Sequence, residues 1–393
     1  MQVYLDHAAT TPLDEEVFEK MKPYFTEKFG NSHSQHTYGK VTANAVDASR
    51  AQVAAALGAK PNEIYFTGSG TESDNWALKG TAFAMRKRGT HIIASAIEHH
   101  AVLNSAHWLE KNGFTVTYLP VDSYGIVKLD ELEKALTPGT TLVSVMLANN
   151  EVGTIEPIKE IVEICRKNRT LVHCDCVQAV GAVNIDVKEL GVDLASVSAH
   201  KFYGPKGIGA LYMRNGLRID SLIVGGGQER GLRGGTSDTP AIVGMGEAIT
   251  KAVREMDQNN AHIKKLRDYF VERVKAEIPF VRYNGHPTQR LPSNANFTFE
   301  YIEGESILML LDLGGVAVSS GSACSSGTLD PSHVLMALGV PVEVSHGSIR
   351  FSFGKHNTLG QVDYTVELLK KSVKKLRAMS PLFKLNEGEL KSV

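Results

Sequence analysis

The sequence predicts an α/β protein whose large domain contains a mostly parallel, seven-stranded sheet covered by helices. Short apolar, β-branched runs recur through the first part of the chain, and amphipathic stretches with helical spacing separate several of them. Parallel strands need long crossover connections, which such stretches supply. The predicted strands are 64–67, 91–95, 115–119, 141–147, 171–175, 194–198 and 209–213. The predicted helices among them include 72–87, 102–111 and 158–167.

The pattern changes after residue 246. A long helical pattern over 249–277 leads to more widely separated strands, and a last helix is predicted over 359–377. The later strands are predicted at 294–299, 316–319 and 348–353. We therefore expect a large domain, residues 14–248, and a smaller α+β domain made of residues 1–13 and 249–393. The polar tail after residue 381 is expected to be loosely ordered.

Composition excludes several classes of protein. The chain has 393 residues, 42 Lys and Arg against 43 Asp and Glu, a net charge of −1 and 42% hydrophobic residues. A nucleic acid or an anionic membrane as the main partner would call for a basic surplus. No apolar run approaches the roughly 18 residues of a membrane helix. With no signal-peptide pattern and only four cysteines in no C-x-x-C motif, we expect a cytoplasmic protein.

A glycine-rich turn between a predicted strand and a helix is the first candidate binding element. Ser69 and Glu72 have the spacing of a capping box, and Gly70 and Thr71 lie between them. Unpaired backbone N–H groups and the helix dipole at such a turn bind phosphate. The alternative is an ordinary strand-to-helix turn.

Two further strand ends carry charged residues. Lys201 follows an apolar strand, and burial or the neighbouring positive charge of His200 would favour the uncharged amine that forms Schiff bases. Asp175 ends another apolar strand, where a carboxylate needs a cationic partner such as a protonated pyridine nitrogen. An exposed loop lysine is the alternative for Lys201. Cys174 and Cys176 lie on the opposite face of the strand from Asp175 and are expected to fill the core.

Cys324 and Arg350 are the candidate reactive groups of the second half. Cys324 stands among small polar residues and glycines, which suit an accessible nucleophilic thiolate better than a buried thiol. Arg350 alternates with apolar residues on a strand, where its guanidinium could bind a carboxylate through bidentate hydrogen bonds. A surface ion pair on an edge strand is the alternative for Arg350.

His99, His100 and Asn150 also follow predicted strands. One of the two histidines could stack on an aromatic cofactor or move a proton, and the amide of Asn150 suits a phenolic oxygen.

Taken together, these motifs resemble the cysteine desulfurases of the NifS/IscS type, which belong to the class V aminotransferases among pyridoxal-phosphate (PLP) enzymes of fold type I. The resemblance covers essentially the whole chain, and the order and spacing of the motifs are far more specific than any one of them. The motifs lie at 4–12 (YLDHAATTP), 30–36 (GNSHSQH), 71–75 (TESDN), 98–99 (EH), 149–153 (NNEVG), 198–207 (SAHKFYGPKG), 225–236 (GGGQERGLRGGT), 303–305 (EGE), 319–324 (SSGSAC) and 348–350 (SIR).

The resemblance implies a role for each candidate residue. Lys201 would hold PLP as a Schiff base, Asp175 would pair with the ring nitrogen, and His99 would stack on the ring and assist proton transfer. Cys324 would be the nucleophile. The ring hydroxyl would lie near Asn150 and Gln178, and the substrate would contact Arg350 and Asn150. The phosphate would be bound by Gly70, Thr71, Ser198 and His200, with Thr236 from the other subunit of a homodimer.

The implied reaction removes sulfur from L-cysteine, giving L-alanine and a persulfide on Cys324. An acceptor protein, an iron–sulfur scaffold or a tRNA-thiolation protein, would then collect the sulfur, and Cys324 could also serve as a transient iron–sulfur ligand. Another class V PLP enzyme, such as a selenocysteine lyase or an aminotransferase, is the main alternative. A non-catalytic sulfur carrier or scaffold protein is the other.

Overall fold

The computed structural model describes residues 1–320 and 331–383. The strands are β1 Val3–Tyr4, β2 Ile64–Thr67, β3 His91–Ser95, β4 Thr115–Leu119, β5 Thr140–Ser144, β6 Leu171–Asp175, β7 Leu194–Ser198, β8 Gly209–Met213, β9 Val281–Asn284, β10 Asn294–Phe299, β11 Val316–Ala317 and β12 Ser348–Ser352. The helices are α1 Glu15–Met21, α2 Pro23–Thr26, α3 Thr37–Ala56, α4 Gly70–Asn75, α5 Thr81–Ala84, α6 His100–Glu110, α7 Leu129–Ala135, α8 Ile158–Lys167, α9 Val187–Leu190, α10 Thr239–Arg254, α11 Met256–Glu277, α12 Gly304–Leu313, α13 His333–Ala337, α14 Val342–Ser345 and α15 Leu359–Met379.

A seven-stranded sheet with the order β2-β8-β7-β6-β5-β3-β4 forms the centre of the larger part of the described chain. The strands from β7 to β4 pair in parallel, and β8 runs antiparallel to both of its neighbours. The predicted α/β fold with a mostly parallel sheet is confirmed. Because β3, β5, β6 and β7 are parallel, their carboxyl ends meet at one edge of the sheet, where open α/β sheets bind ligands.

Several predicted bounds are wrong: the helix predicted over 72–87 consists of α4, a π-helical turn Trp76–Gly80 and α5, and the strand predicted at 316–319 ends at Ala317. Two further differences have a physical reason in the contacts. The strand predicted at 141–147 ends at Ser144, where its pairing with β3 stops because the amide of Met146 donates to the buried carboxylate of Glu98. The amides of Val145 and Leu147 still donate to carbonyl oxygens of β6. The single helix predicted over 249–277 is two helices, α10 and α11, with a break at Glu255. The break lets α10 pack on the core of the large sheet and α11 on a separate core.

That separate core lies under a three-stranded antiparallel sheet with the order β12-β10-β9. Rings of Phe270, Phe297, Phe351 and Phe353 pack together there, and β1 pairs in parallel with β11 at its side.

The division into residues 14–248 and residues 1–13 with 249–393 stays a prediction. The chain beyond residue 383, which holds most of the predicted tail, lies outside the described residues. Across the described ranges, no helix has both the length and the apolar character needed to cross a membrane.

Candidate active site

One cavity of about 300 Å³ opens at the edge where the parallel strands end. Most of the residues singled out from the sequence line it. They are Gly70, Thr71, His99, Asn150, Asp175, Gln178, Ser198, His200, Lys201 and Arg350. Residues from the ends of five strands of the large sheet and from β12 of the small sheet thus converge on a single space.

The glycine-rich turn forms one end of this cavity. Ser69 is the N-cap of α4, and its hydroxyl accepts a hydrogen bond of 3.1 Å from the amide of Glu72. The predicted capping box is only half right, because the Glu72 carboxylate accepts from the amide of Gly68 at 2.7 Å and pairs with Arg233. This pairing ties the turn to the glycine-rich segment around residue 233.

Gly70 lets the start of α4 approach the ends of two strands. A Cβ at this position would lie 2.8 Å from Cγ2 of Val177 and 3.3 Å from Cβ of Ser198, so a larger residue would push the helix away. The first amides of a helix have no partner within it. The N–H groups of Gly70 and Thr71 therefore stand beside the Ser198 hydroxyl at the cavity wall, a set of donors suited to a phosphate.

Lys201 lies in a short 3₁₀ turn, Ala199–Lys201, that directly follows β7. Its Nζ donates hydrogen bonds of 2.6 Å to the carbonyl oxygen of Ala8 and 2.8 Å to that of Ala9, and it lines the cavity. The expectation that His200 adds positive charge is wrong. Burial, and to a smaller extent the charge of Lys201, lowers the pKa of His200 to about 4, so the imidazole is neutral near pH 7.

Asp175 ends β6 on the cavity side and is only 5% exposed. Its Oδ1 accepts a hydrogen bond of 2.8 Å from the amide of Val177. Burial raises the pKa of Asp175 to about 6, while that hydrogen bond and the positive charge of Lys201 act in the opposite direction. Cys174 and Cys176 are fully buried in the large core as free thiols, as the strand alternation predicts.

His99 caps α6 and faces the same space. Its Nδ1 accepts the amide of Ala101 at 3.1 Å, so the neutral ring carries its hydrogen on Nε2. Burial, and to a smaller extent the charge of Lys201, lowers the pKa of His99 to about 4. Gln178 donates from Nε2 to the carbonyl oxygen of Ala8 at 2.9 Å, and Asn150 lies at the cavity wall.

Arg350 is 3% exposed, so the alternative of a surface ion pair is excluded. Its Nη1 donates to the carbonyl oxygen of Asn150 and its Nη2 to the carboxylate of Asp6, each at 2.9 Å. Within the described residues, Nε has no hydrogen-bond partner. The guanidinium is therefore fixed on one side and keeps donor capacity for an anion.

Two predicted site residues are not among those that line this cavity. Cys324 lies outside the described residues. Thr236 lines a different cavity, beside Gly68 and Arg233, so its predicted contact with the phosphate of the other subunit stays a prediction.

Sequence reasoning gave no role to Asp6, Asp74 or His173, although all three belong to this region. Asp6 pairs with Arg350, Asp74 lines the cavity, and His173 lies 3.6 Å from Asp74 in the sheet behind it. A signal was present: Asp6 and Asp74 fall within the quoted motifs YLDHAATTP and TESDN, and His173 lies two residues before Asp175 on the same strand face.

The donor set fits PLP. The cavity offers backbone and hydroxyl donors at one end, a lysine at its wall, and a buried acid at its floor for a protonated ring nitrogen. The orphaned Oδ1 of Asp74, which has no partner in the described chain, adds a second carboxyl to this floor. Fold and site together define an enzyme of PLP fold type I.

Comparisons with known proteins assign the family. Residues 3–365 match the family described as Aminotransferase class-V. A curated "Cysteine desulfurase IscS" from Methanosarcina thermophila is 56% identical over 380 residues, which cover 97% of this chain and 94% of that protein. The solved structure of a "NIFS-LIKE PROTEIN" has 42% identity and a TM-score of 0.91, and covers 96% of this chain and 100% of that one. The structure titled "SspA in complex with cysteine" has 35% identity and a TM-score of 0.80, and covers 91% of this chain and 100% of that one.

The chain belongs to the aminotransferase class-V family and, within it, to the PLP-dependent cysteine desulfurases of the NifS/IscS type.

Proposed function

We propose that this chain removes sulfur from L-cysteine, forming L-alanine and a persulfide on Cys324. The observation that carries the proposal is the convergence of Lys201, Asp175 and Arg350 on one cavity. An amine for the cofactor, an acid for its ring nitrogen and a guanidinium for a substrate carboxylate are what a PLP enzyme for an amino acid requires, and the thiol of Cys324 would add the sulfur acceptor. The relative solved with cysteine supports an amino-acid thiol as the substrate.

When bound, PLP supplies an electron sink that makes the α-proton of an amino acid acidic. Lys201 would attach the cofactor, and Asp175 would keep its ring nitrogen protonated. The amides of Gly70 and Thr71, with the hydroxyl of Ser198 and with His200, would hold the phosphate. The roles proposed for Asn150 and Gln178 are contacts to the ring hydroxyl, and Thr236 of a second copy would complete the phosphate site.

We assign proton movement to His99 and Lys201, the two titratable groups of the cavity that would lie nearest to the α-carbon of the substrate. Because burial keeps the imidazole of His99 neutral, the ring can stack on an aromatic cofactor and donate from Nε2. The Nζ of Lys201 lines the cavity and would be placed to accept the α-proton of the substrate.

Arg350 would hold the α-carboxylate of L-cysteine. Asp6 and the carbonyl of Asn150 fix the guanidinium plane, so its remaining N–H groups are oriented before the substrate arrives. The thiolate of Cys324 would then attack the substrate sulfur, forming the S–S bond as the Cβ–S bond of cysteine breaks. Alanine would form by uptake of a proton at Cβ and return of a proton to Cα, for which Nζ of Lys201 would be the donor.

Replacement of Arg350 by lysine should raise KM for L-cysteine about tenfold while kcat changes less, because a lysine keeps the charge but loses the two-pronged geometry. Alanine formation at varied L-cysteine concentration measures both constants. Arg377→Lys is the matched control, since Arg377 is also buried but binds carbonyl oxygens of Pro279 and Phe280. An unchanged KM in Arg350→Lys would contradict the assignment.

We further propose that a homodimer hands the persulfide sulfur to an acceptor protein, for iron–sulfur assembly or for thiolation of tRNA or a cofactor. The NifS and IscS names of the relatives support this direction. The cytoplasm is the proposed location, since the free thiols of Cys165, Cys174 and Cys176 suit a reducing compartment.

The direct test is incubation of the PLP-loaded protein with L-cysteine and a thiol reductant. We expect alanine and sulfide in equal amounts. A parallel incubation with L-selenocysteine identifies a selenocysteine lyase if only that substrate reacts. Absence of both products above background would refute the proposed function.

A further inference from the structure

A row of buried polar side chains crosses the sheet behind Asp175. Nδ1 of His173 lies 2.9 Å from Oγ of Ser144, and Nε2 lies 2.9 Å from Oγ of Ser196. Strand pairing places Ser144 beside His173 and Ser196 beside Asp175. Three neighbouring strands, β5, β6 and β7, thus contribute one hydrogen-bonded chain directly under the cavity floor, where an apolar core would otherwise be expected.

Asp74 reaches this row from α4. Its carboxyl interacts with the hydroxyl of Ser196. Its Oδ1 lies 3.6 Å from Nε2 of His173, which is too long for a hydrogen bond, and has no partner among the residues described. A buried carboxylate with an unsatisfied oxygen is far more costly than a neutral acid whose carbonyl oxygen is unsatisfied.

The surrounding charges favour a proton on Asp74. Burial and, after it, the negative charge of Asp175 raise the pKa of Asp74 well above its usual range, and together they outweigh the contact with Ser196, which lowers this pKa. Glu98, also buried nearby, has its pKa raised for the same two reasons. His173 supplies no positive charge, because burial lowers its pKa to about 3. Lys201, by contrast, lowers the pKa of Asp175 and so favours the negative charge there.

We infer that Asp74 is a positioning residue: a neutral carboxylic acid that donates a hydrogen bond to Ser196. It thereby orients the hydrogen bonds of Ser196, His173 and Ser144, and Asp175 alone carries the negative charge at the cavity floor. The inference rests on the proposed role of Asp175 as partner of the PLP ring nitrogen. A second carboxylate at this place would compete with Asp175 for the proton of that nitrogen. A neutral acid avoids the competition and holds Ser196, the strand neighbour of Asp175, in one orientation.

The direction of the hydrogen bonds follows from this protonation. With a proton on Asp74, Ser196 receives a hydrogen bond from the acid and donates to Nε2 of His173, whose Nδ1–H donates to Ser144. An ionised Asp74 would reverse each donor and place the imidazole hydrogen on Nε2. The tautomer of His173 therefore reports the state of Asp74.

The first test is ¹⁵N NMR of the histidine-labelled protein stripped of PLP, with the His173 signals assigned by their loss in His173→Gln. We expect the Nδ1–H tautomer in the wild type and in Asp74→Asn, since the asparagine amide donates as the acid does. An Nε2–H tautomer in the wild type would overturn the inference. This measurement requires neither PLP nor turnover, so its outcome is separate from that of the proposed function.

The second test is PLP affinity, measured by titrating the stripped protein. Asp74→Leu should weaken binding about tenfold, because it removes the donor and leaves Ser196 unpaired, and Asp74→Asn should restore affinity to within about threefold of the wild type. An equal loss of PLP affinity in both variants would show that the negative charge of Asp74 is needed and would overturn the inference. Unchanged affinity in both would also overturn it. If Asp74→Leu does not fold, the tautomer of His173 decides: Nδ1–H in both the wild type and Asp74→Asn supports the inference, and a different tautomer in the two proteins overturns it.

Discussion

Replacement of Lys201 by alanine is expected to abolish covalent cofactor binding and to lower desulfurase activity by about three orders of magnitude or more. The variant loses the amine that attaches PLP and the base proposed for the α-proton. It should purify without the absorbance at about 400 nm that is typical of a lysine-bound PLP. Absorbance spectra and alanine formation from L-cysteine measure the two effects.

Lys206→Ala is the matched control for this change. Lys206 lies on the same glycine-rich loop but is exposed to solvent and does not line the cavity. We expect it to keep both the absorbance and most of the activity. A Lys201→Ala protein that retained the absorbance, or a Lys206→Ala protein that lost it, would show that the attachment point has been assigned to the wrong lysine.

The strand ends show why so much of this site could be predicted from the sequence. Asp175 and Lys201 each follow an apolar run, and the period-2 pattern places Asp175 opposite Cys174 and Cys176. Once several strands are parallel, topology brings their carboxyl ends together without any further information. The predicted bounds of β6 and β7 agree with the structure, and so the cavity contains the predicted residues.

What could not be predicted depends on contacts between distant segments. The pairing of Asp6 with Arg350 joins residues 344 positions apart, and neither local pattern specifies its partner. The carboxylate of Glu72 bonds to Gly68 and Arg233 because the tertiary fold brings Arg233 within reach, which overrides the local capping box. The break at Glu255 similarly reflects two cores, not a helix-breaking residue in the sequence.

The protonation states depend on burial, which composition does not reveal. His200 looked like a source of positive charge beside Lys201, yet burial keeps its imidazole neutral. Asp74 lies in a stretch of polar residues and resembles a solvated helix residue until its 1% exposure is known. Sequence motifs thus name the residues of such a site, whereas the charges on them follow from the packed structure.

Replacement of Cys324 by alanine should abolish alanine and sulfide formation from L-cysteine, to within background, while PLP binding and its absorbance remain. The reason is chemical. The cavity residues can bind L-cysteine and loosen its α-proton, but none of the described residues that line the cavity is a thiol that could accept sulfur. Activity and absorbance measured on one preparation separate loss of the nucleophile from loss of the cofactor.

Cys165→Ala is the control, since Cys165 is a fully buried thiol on α8 and does not line the cavity. It should remain active, with a modest loss of stability of about 1 kcal/mol from the missing sulfur atom. The expected product of wild-type turnover is a persulfide on Cys324, which mass spectrometry would detect as one added sulfur on its peptide. Continued alanine formation by Cys324→Ala would contradict the assignment of Cys324 as the sulfur acceptor, because the Cβ–S bond of cysteine would then break without it.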